Sequence, residues 1–171
     1  TLLHASTPKT LCSRPYLYES PYEYIESINY LIKKISKYQD VKIKFRLRGV
    51  PESNVKILRK LINFNKQCYH SETQNFSDDI SSSDALISYS STTIEECISK
   101  GKPVILFNSI GFNHFQSFEI NNKGPIFIVT RENFDLIMPK ALHCILNFNR
   151  LSSSFNKYSW NYDTLKKFKI N

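Results

Sequence analysis

SSDALISYSSTTIEECISKGKPVILFN, residues 82–108, reads as strand, turn, helix, turn and strand in one pass. The apolar run at 84–89 has the length and composition of a buried strand. Four hydroxylated residues, Ser90, Ser91, Thr92 and Thr93, lead into a helix over 94–100, and Gly101 supplies its C-terminal stop. A second buried strand follows at 103–107. A helix between two buried strands is the pattern that builds a parallel sheet covered by helices.

The same alternation continues on both sides. Upstream, 2–6 is a strand, and Ser20-Pro21-Tyr22-Glu23 combines an N-cap serine, proline at the first helical position and glutamate at the third. The helix it starts runs to about Tyr38, with Ile25, Ile28, Leu31, Ile32 and Ile35 on one face. Residues 41–48 alternate strictly, Val41, Ile43, Phe45 and Leu47 against Lys42, Lys44, Arg46 and Arg48, which predicts a strand with one wet, cationic face. Gly49-Val50-Pro51 breaks it, Ser53 caps a helix to about Phe64, 67–70 is a short strand, and Ser77-Asp78-Asp79 caps a short helix. Downstream, the connection at 108–125 is long enough to be a candidate for function, 126–129 is a last strand, and the remainder reads as helices, with Pro139 interrupting the one that begins near Glu132. Neither repeats nor a disordered tail are visible. The expectation is an α/β fold of three layers, α/β/α, around a mostly parallel sheet of about six strands.

With 171 residues, 41% hydrophobic and 22% charged, the chain has the composition of one globular domain. It starts at Thr1, not Met, and goes straight into a strand, so we expect a piece of a longer protein. No apolar stretch reaches the roughly 18 residues of a spanning helix, and no signal-peptide series is present, so a soluble, cytoplasmic domain is expected. Cys12, Cys68, Cys97 and Cys144 are widely spaced, with no CxxC pair, which indicates reduced thiols and neither a zinc site nor a disulfide framework. A net charge of +8 points to an anionic partner: nucleic acid, a membrane surface or a phosphorylated small molecule.

Open parallel sheets bind ligands beyond the carboxyl ends of their strands. The hydroxyl turn at Ser90, Ser91, Thr92 and Thr93 lies in such a place and can hold a phosphate, although serine and threonine there also serve as ordinary helix caps. Glu95 and Glu96 complement the helix dipole, or one of them accepts hydrogen bonds from two ribose hydroxyls. Glycine is absent from the turn, which excludes a P-loop and the GxGxxG fingerprint. His4, on the first strand, reads as a satisfied core histidine, whereas His114 in the long loop is a candidate for substrate contact.

Residues 82–108 resemble the donor-binding segment of GT-B-type glycosyltransferases, in which a D-x-x-I-S strand meets a small or hydroxylated turn, a helix with a glutamate, and G-x-P-V-I. The chain is similar to bacterial enzymes of surface-polysaccharide biosynthesis and, more distantly, to the transferase that adds N-acetylglucosamine to lipid I. The Ser-Thr-Pro-Lys loop after the first strand and the cationic end of the second agree with the family's order of elements. Two departures stand out: serine and threonine replace the glycine-rich turn of many relatives, and K-x-H-P appears here as R-L-R-G.

The resemblance implies that residues 1–171 are one Rossmann-like nucleotide-sugar-binding domain, the C-terminal half of a two-domain enzyme whose N-terminal half binds the acceptor. It places Ser90, Ser91, Thr92 and Thr93, with Lys9, Arg46 and Arg48, at the donor diphosphate. Glu96, five residues before the glycine of G-x-P, binds ribose with Glu95 beside it. Tyr69, His70 and Ser71 lie near the base, and Asn113, His114 and Gln116 near the sugar. No metal and no cofactor are expected, since cations and helix N–H groups neutralise the leaving group, and the catalytic base belongs to the other half. Partners are then the nucleotide-sugar donor, the acceptor domain and, through the basic face, the inner surface of the membrane; nucleic acid is not expected. Two alternatives stay open: a sugar-nucleotide epimerase or polyol-phosphate transferase domain, and a basic module that binds nucleic acid or a membrane surface.

Overall fold

The computed structural model of the chain describes residues 1–6, 19–48, 54–73, 75–88, 91–107 and 125–147. Six strands form one sheet: β1 (Leu2–Ser6), β2 (Ile43–Leu47), β3 (Cys68–His70), β4 (Ala85–Ser88), β5 (Val104–Phe107) and β6 (Ile126–Val129). Their order is β3-β2-β1-β4-β5-β6 and every pairing is parallel. The helices are α1 (Pro21–Ile35), α2 (Val55–Leu61), α3 (Phe76–Ser81), α4 (Thr93–Ser99) and α5 (Phe134–Leu146). This is the Rossmann-like α/β architecture expected from the alternation of strands and helices.

Alternation along the strands divides the core in two. Leu2, Phe45, Ile87, Ile105 and Phe127 face α1, α2 and α5 through Ile28, Leu31, Leu58 and Met138. Leu3, Ala5, Leu86, Val104 and Leu106 face α3 and α4 through Ile80, Ile94, Cys97 and Ile98. Covering on both faces explains why β1, β4 and β5 are buried along their whole length. Strand β2 differs from expectation: Lys44 and Arg46 are half-buried, because α3 lies over the face that the sequence reading left wet.

Local chemistry sets the helix ends. At α1 the Glu23 N–H donates to Ser20 Oγ at 3.2 Å and the Ser20 N–H to Glu23 Oε2 at 2.8 Å, a complete capping box. Helix α4 ends in a Schellman motif: Gly101 takes φ 67°, its N–H bonds the Ile98 carbonyl at 2.9 Å, and the Lys102 N–H bonds that of Cys97 at 3.1 Å. Three expectations need correction. Asn54 caps α2, accepting from the Lys56 N–H at 2.8 Å, while Ser53 lies outside the described residues. Asn75, not Ser77, precedes α3. Pro139 does not interrupt α5, because Ile137, Met138, Ala141 and Leu142 on either side of it are buried, and that packing outweighs one missing hydrogen bond. The break at 49–51, the loop at 108–124 and any helix beyond 147 lie outside the described residues.

Lys102 does structural work that its exposed-looking context hides. It is buried, and its ammonium donates to the carbonyls of Ile80, Ser81 and Ser83, closing the C-terminal end of α3. Lys102→Met, which removes the ammonium's hydrogen bonds to those carbonyls, is expected to lower stability by about 2 kcal/mol in urea unfolding.

Candidate functional site

The sheet order reverses between β1 and β4. Ser6 pairs with Leu47 and His4 with Ile87, so β1, β2 and β4 end together at the crevice where such sheets bind ligands. A cleft of about 550 Å³ opens there. Its floor is Ala5, Ser6 and Leu47, with Arg46 and Arg48 at the end of β2, His70, Ser71 and Thr73 at the end of β3, and Ser91 and Thr93 at the start of α4. Phe76 closes the side toward α3.

Six of the residues singled out from sequence therefore meet in one cleft: Arg46, Arg48, His70, Ser71, Ser91 and Thr93. Tyr69 borders a shallower depression with Lys44 and Glu72. Thr92, Glu95 and Glu96 are exposed on α4 and do not line the cleft. The Glu96 carboxylate lies 3.7 Å from Lys100, whose ammonium also donates to Ser77 Oγ at 2.7 Å. Lys9, Ser90, Asn113, His114 and Gln116 lie outside the described residues.

The hydroxyls of the turn are not all used in capping. Ser91 accepts from the Thr93 N–H at 3.3 Å, whereas Thr92, the residue preceding α4, makes no side-chain cap bond. Thr93 Oγ1 and Ser88 Oγ, at the end of β4, are buried with no hydrogen-bond partner among the described residues. Buried hydroxyls are rarely left so, and Thr93 lines the cleft, which makes its hydroxyl a donor in search of an acceptor.

Charge in the cleft wall is set by Asp79, which the sequence offers only as part of the cap of a short helix. Asp79 is fully buried; its carboxylate is 2.7 Å from Arg46, 3.2 Å from Lys44 and 2.6 Å from Ser71 Oγ. Burial pushes its pKa up, but hydrogen bonds from Ser71, Thr73, Arg46 and Lys44 outweigh that and hold it below the usual carboxylate value. Arg46 also donates to the Thr73 carbonyl at 3.2 Å and sits 5.9 Å from the Phe76 ring. Its charge is thus committed to the cleft wall. Arg48 is exposed at the cleft and forms no ion pair among the described residues. A pattern did exist for Asp79: it lies three residues after Phe76 and beside Ile80, on the apolar side of α3, where a carboxylate needs cations.

Beneath the cleft, Tyr24 donates to the Ser6 carbonyl at 2.9 Å, and the Ser6 hydroxyl lies 3.5 Å from His4 Nε2. His4 is buried against Phe45, ring centroids 4.8 Å apart, but its Nδ1 has no partner among the described residues, so it is a core histidine only partly satisfied. Burial lowers its pKa to about 4, against a smaller opposing effect of its own backbone hydrogen bond. Burial likewise raises the thiol of Cys68 to about 11 and that of Cys97 to about 12, so neither is a thiolate at neutral pH. Cys144 is half-buried, and Cys12 lies outside the described residues.

No protein-family model matches the chain, and no curated protein matches it in sequence. Solved structures do resemble it in fold. TarM superposes with a TM-score of 0.59 at 15% identity, over 98% of this chain and 34% of TarM. The co-structure of S. aureus MnaA with UDP gives a TM-score of 0.59 at 16% identity, over 97% of this chain and 42% of MnaA. The chain thus spans 34% and 42% of the length of these structures, and its fold is GT-B-like.

Proposed function

We propose that this chain is the donor-binding domain of a glycosyltransferase of surface-carbohydrate assembly, the C-terminal half of a two-domain enzyme whose other half carries the acceptor and the catalytic base. The observation that carries the reading is the convergence of Arg48, Ser91, Thr93, His70 and Ser71 in one cleft at the switch point of a GT-B-like sheet. The donor diphosphate lies against the Ser91 and Thr93 hydroxyls and Arg48, and the resemblance assigns Lys9 and Ser90 to the same group. The base points toward His70 and Ser71. Glu96, outside the cleft lining, is assigned to the ribose hydroxyls on the resemblance alone, as are Asn113, His114 and Gln116 to the sugar. Departure of the nucleoside diphosphate is eased by these cations and N–H groups, without a metal.

The test is calorimetric titration of the folded chain with UDP, GDP, CDP, CMP and ADP. We expect saturable binding that prefers one base, weakened about ten-fold by Glu96→Ala, which removes charge-assisted hydrogen bonds. Thr93→Val keeps the shape and removes the hydroxyl, and is expected to weaken binding about five-fold. A folded protein that takes up none of these nucleotides sinks the reading.

A second reading is a sugar-nucleotide epimerase domain, favoured by the equal structural likeness to MnaA, whose co-structure contains UDP. An epimerase alters the sugar of the donor with no acceptor added; a transferase consumes donor only when an acceptor is supplied. A polyol-phosphate transferase would instead move a phosphorylated polyol from a cytidine nucleotide. No helix among the described residues is long and apolar enough to cross a membrane, and the proposed working place is the cytoplasmic side.

A further inference from the structure

Positive charge is dense in one segment of the chain. Residues 41–70 contain eight lysines and arginines against one acidic residue, a net +7 of the chain's +8 within 30 residues. That segment is β2, α2 and β3, at one edge of the sheet. Asp79 neutralises Lys44 and Arg46, but Lys42, Arg48, Lys56, Arg59, Lys60 and Lys66 are all exposed.

Helix α2 adds an apolar element. Leu58 and Ile62 fasten it to the core, while Ile57 and Leu61, one turn apart, are 58% and 52% exposed. Lys56 and Lys60, also one turn apart, run beside them. The ion pairs with Asp79 account for Lys44 and Arg46 on β2, but nothing of that kind accounts for two aliphatic side chains held out in water beside lysines. We propose that the outer face of α2 is a docking surface for an anionic phospholipid bilayer: Ile57 and Leu61 enter the headgroup region while Lys56 and Lys60 meet the lipid phosphates. A nucleic acid would satisfy the lysines but offer nothing to the aliphatic pair. A helix of seven residues lies along such a surface and does not penetrate it. Arg59, on the same helix, contacts the ring nitrogens of His70 at 2.6 and 2.9 Å, which joins this surface to the rim of the cleft.

The test is co-sedimentation of the full chain with vesicles of phosphatidylcholine alone and of phosphatidylcholine mixed equally with phosphatidylglycerol. We expect binding to the mixed vesicles only. Lys56→Gln with Lys60→Gln should weaken it about 25-fold, five-fold per cation near an anionic leaflet. Ile57→Ser with Leu61→Ser should weaken it about ten-fold while leaving the circular-dichroism melt unchanged, since both side chains are surface ones. Absence of binding to mixed vesicles, equal binding to both kinds, or binding unaffected by either double variant overturns the proposal. So does retention of a single-stranded RNA by a protein that ignores the vesicles. None of these outcomes depends on nucleotide binding in the cleft.

Discussion

Asp79→Ala is expected to lower the stability of the domain by about 3–5 kcal/mol, the cost of removing one partner from a buried ion pair. The reason is geometric. Asp79 has no exposed side-chain surface and faces two cations, Arg46 and Lys44, whose side chains are only 29% and 12% exposed. Without the carboxylate these two charges stand next to each other with little water to screen them. Ser71 also loses its acceptor at 2.6 Å. Arg46→Met should cost less, because Lys44 and Ser71 still serve the carboxylate, and a double variant Asp79→Ala/Arg46→Met should recover part of the loss. Urea unfolding of the three variants measures this; a loss below about 1 kcal/mol for Asp79→Ala would show that water reaches the cluster and screens it. Because Arg46, Ser71 and Thr73 are cleft residues, the same variant should also weaken the nucleotide binding proposed above, although Asp79 is not among the residues that line the cleft.

How much of this was legible depended on whether the determining chemistry was local. The capping box at Ser20 and Glu23 and the glycine stop at Gly101 are written within a few residues, and both formed as read. Strands β1, β4 and β5 announced themselves because strands buried on both faces must be apolar throughout, and β2 by its strict alternation. Their spatial order was not legible, because alternating strands and helices fit several sheet orders and only contacts between distant segments select one. The same limit hid Asp79, whose partners on β2 lie more than thirty residues upstream, and Lys102, whose acceptors come from α3 and the residues just after it. Pro139 misled in the opposite direction: a strong local signal was overridden by burial of the residues around it. For the site, the hydroxyl turn could be placed beyond a strand end from sequence, but which hydroxyls cap and which are left over became visible only with Ser91 bonded and Thr93 not.

The largest pH effect is expected from His4. Its ring is 5% exposed and packed on Phe45, with one long contact to Ser6 and an unmatched Nδ1, so the fold has little to offer a second proton. In the unfolded chain its pKa is near the ordinary 6.5; in the fold, burial brings it to about 4. Between those values the unfolded chain binds more protons than the folded one, so stability is full above about pH 6.5 and falls as the pH drops toward 4. At about 1.4 kcal/mol per unit the loss approaches 3 kcal/mol by pH 4. His70, lowered by burial and by Arg59, acts in the same direction. Asp79 acts lower still: its pKa is held below the usual 3.8, so the stability it provides is present above that value and disappears as the pH falls beneath it. Acid unfolding should therefore proceed in two parts, and His4→Gln should flatten most of the first while leaving the second in place. Chemical denaturation of the two proteins from pH 7 to pH 3 distinguishes the cases. Equal slopes between 6.5 and 4 would mean that water enters beside β1 and solvates the imidazolium, in which event the unmatched Nδ1 is hydrated and the floor of the cleft is wetter than its packing indicates.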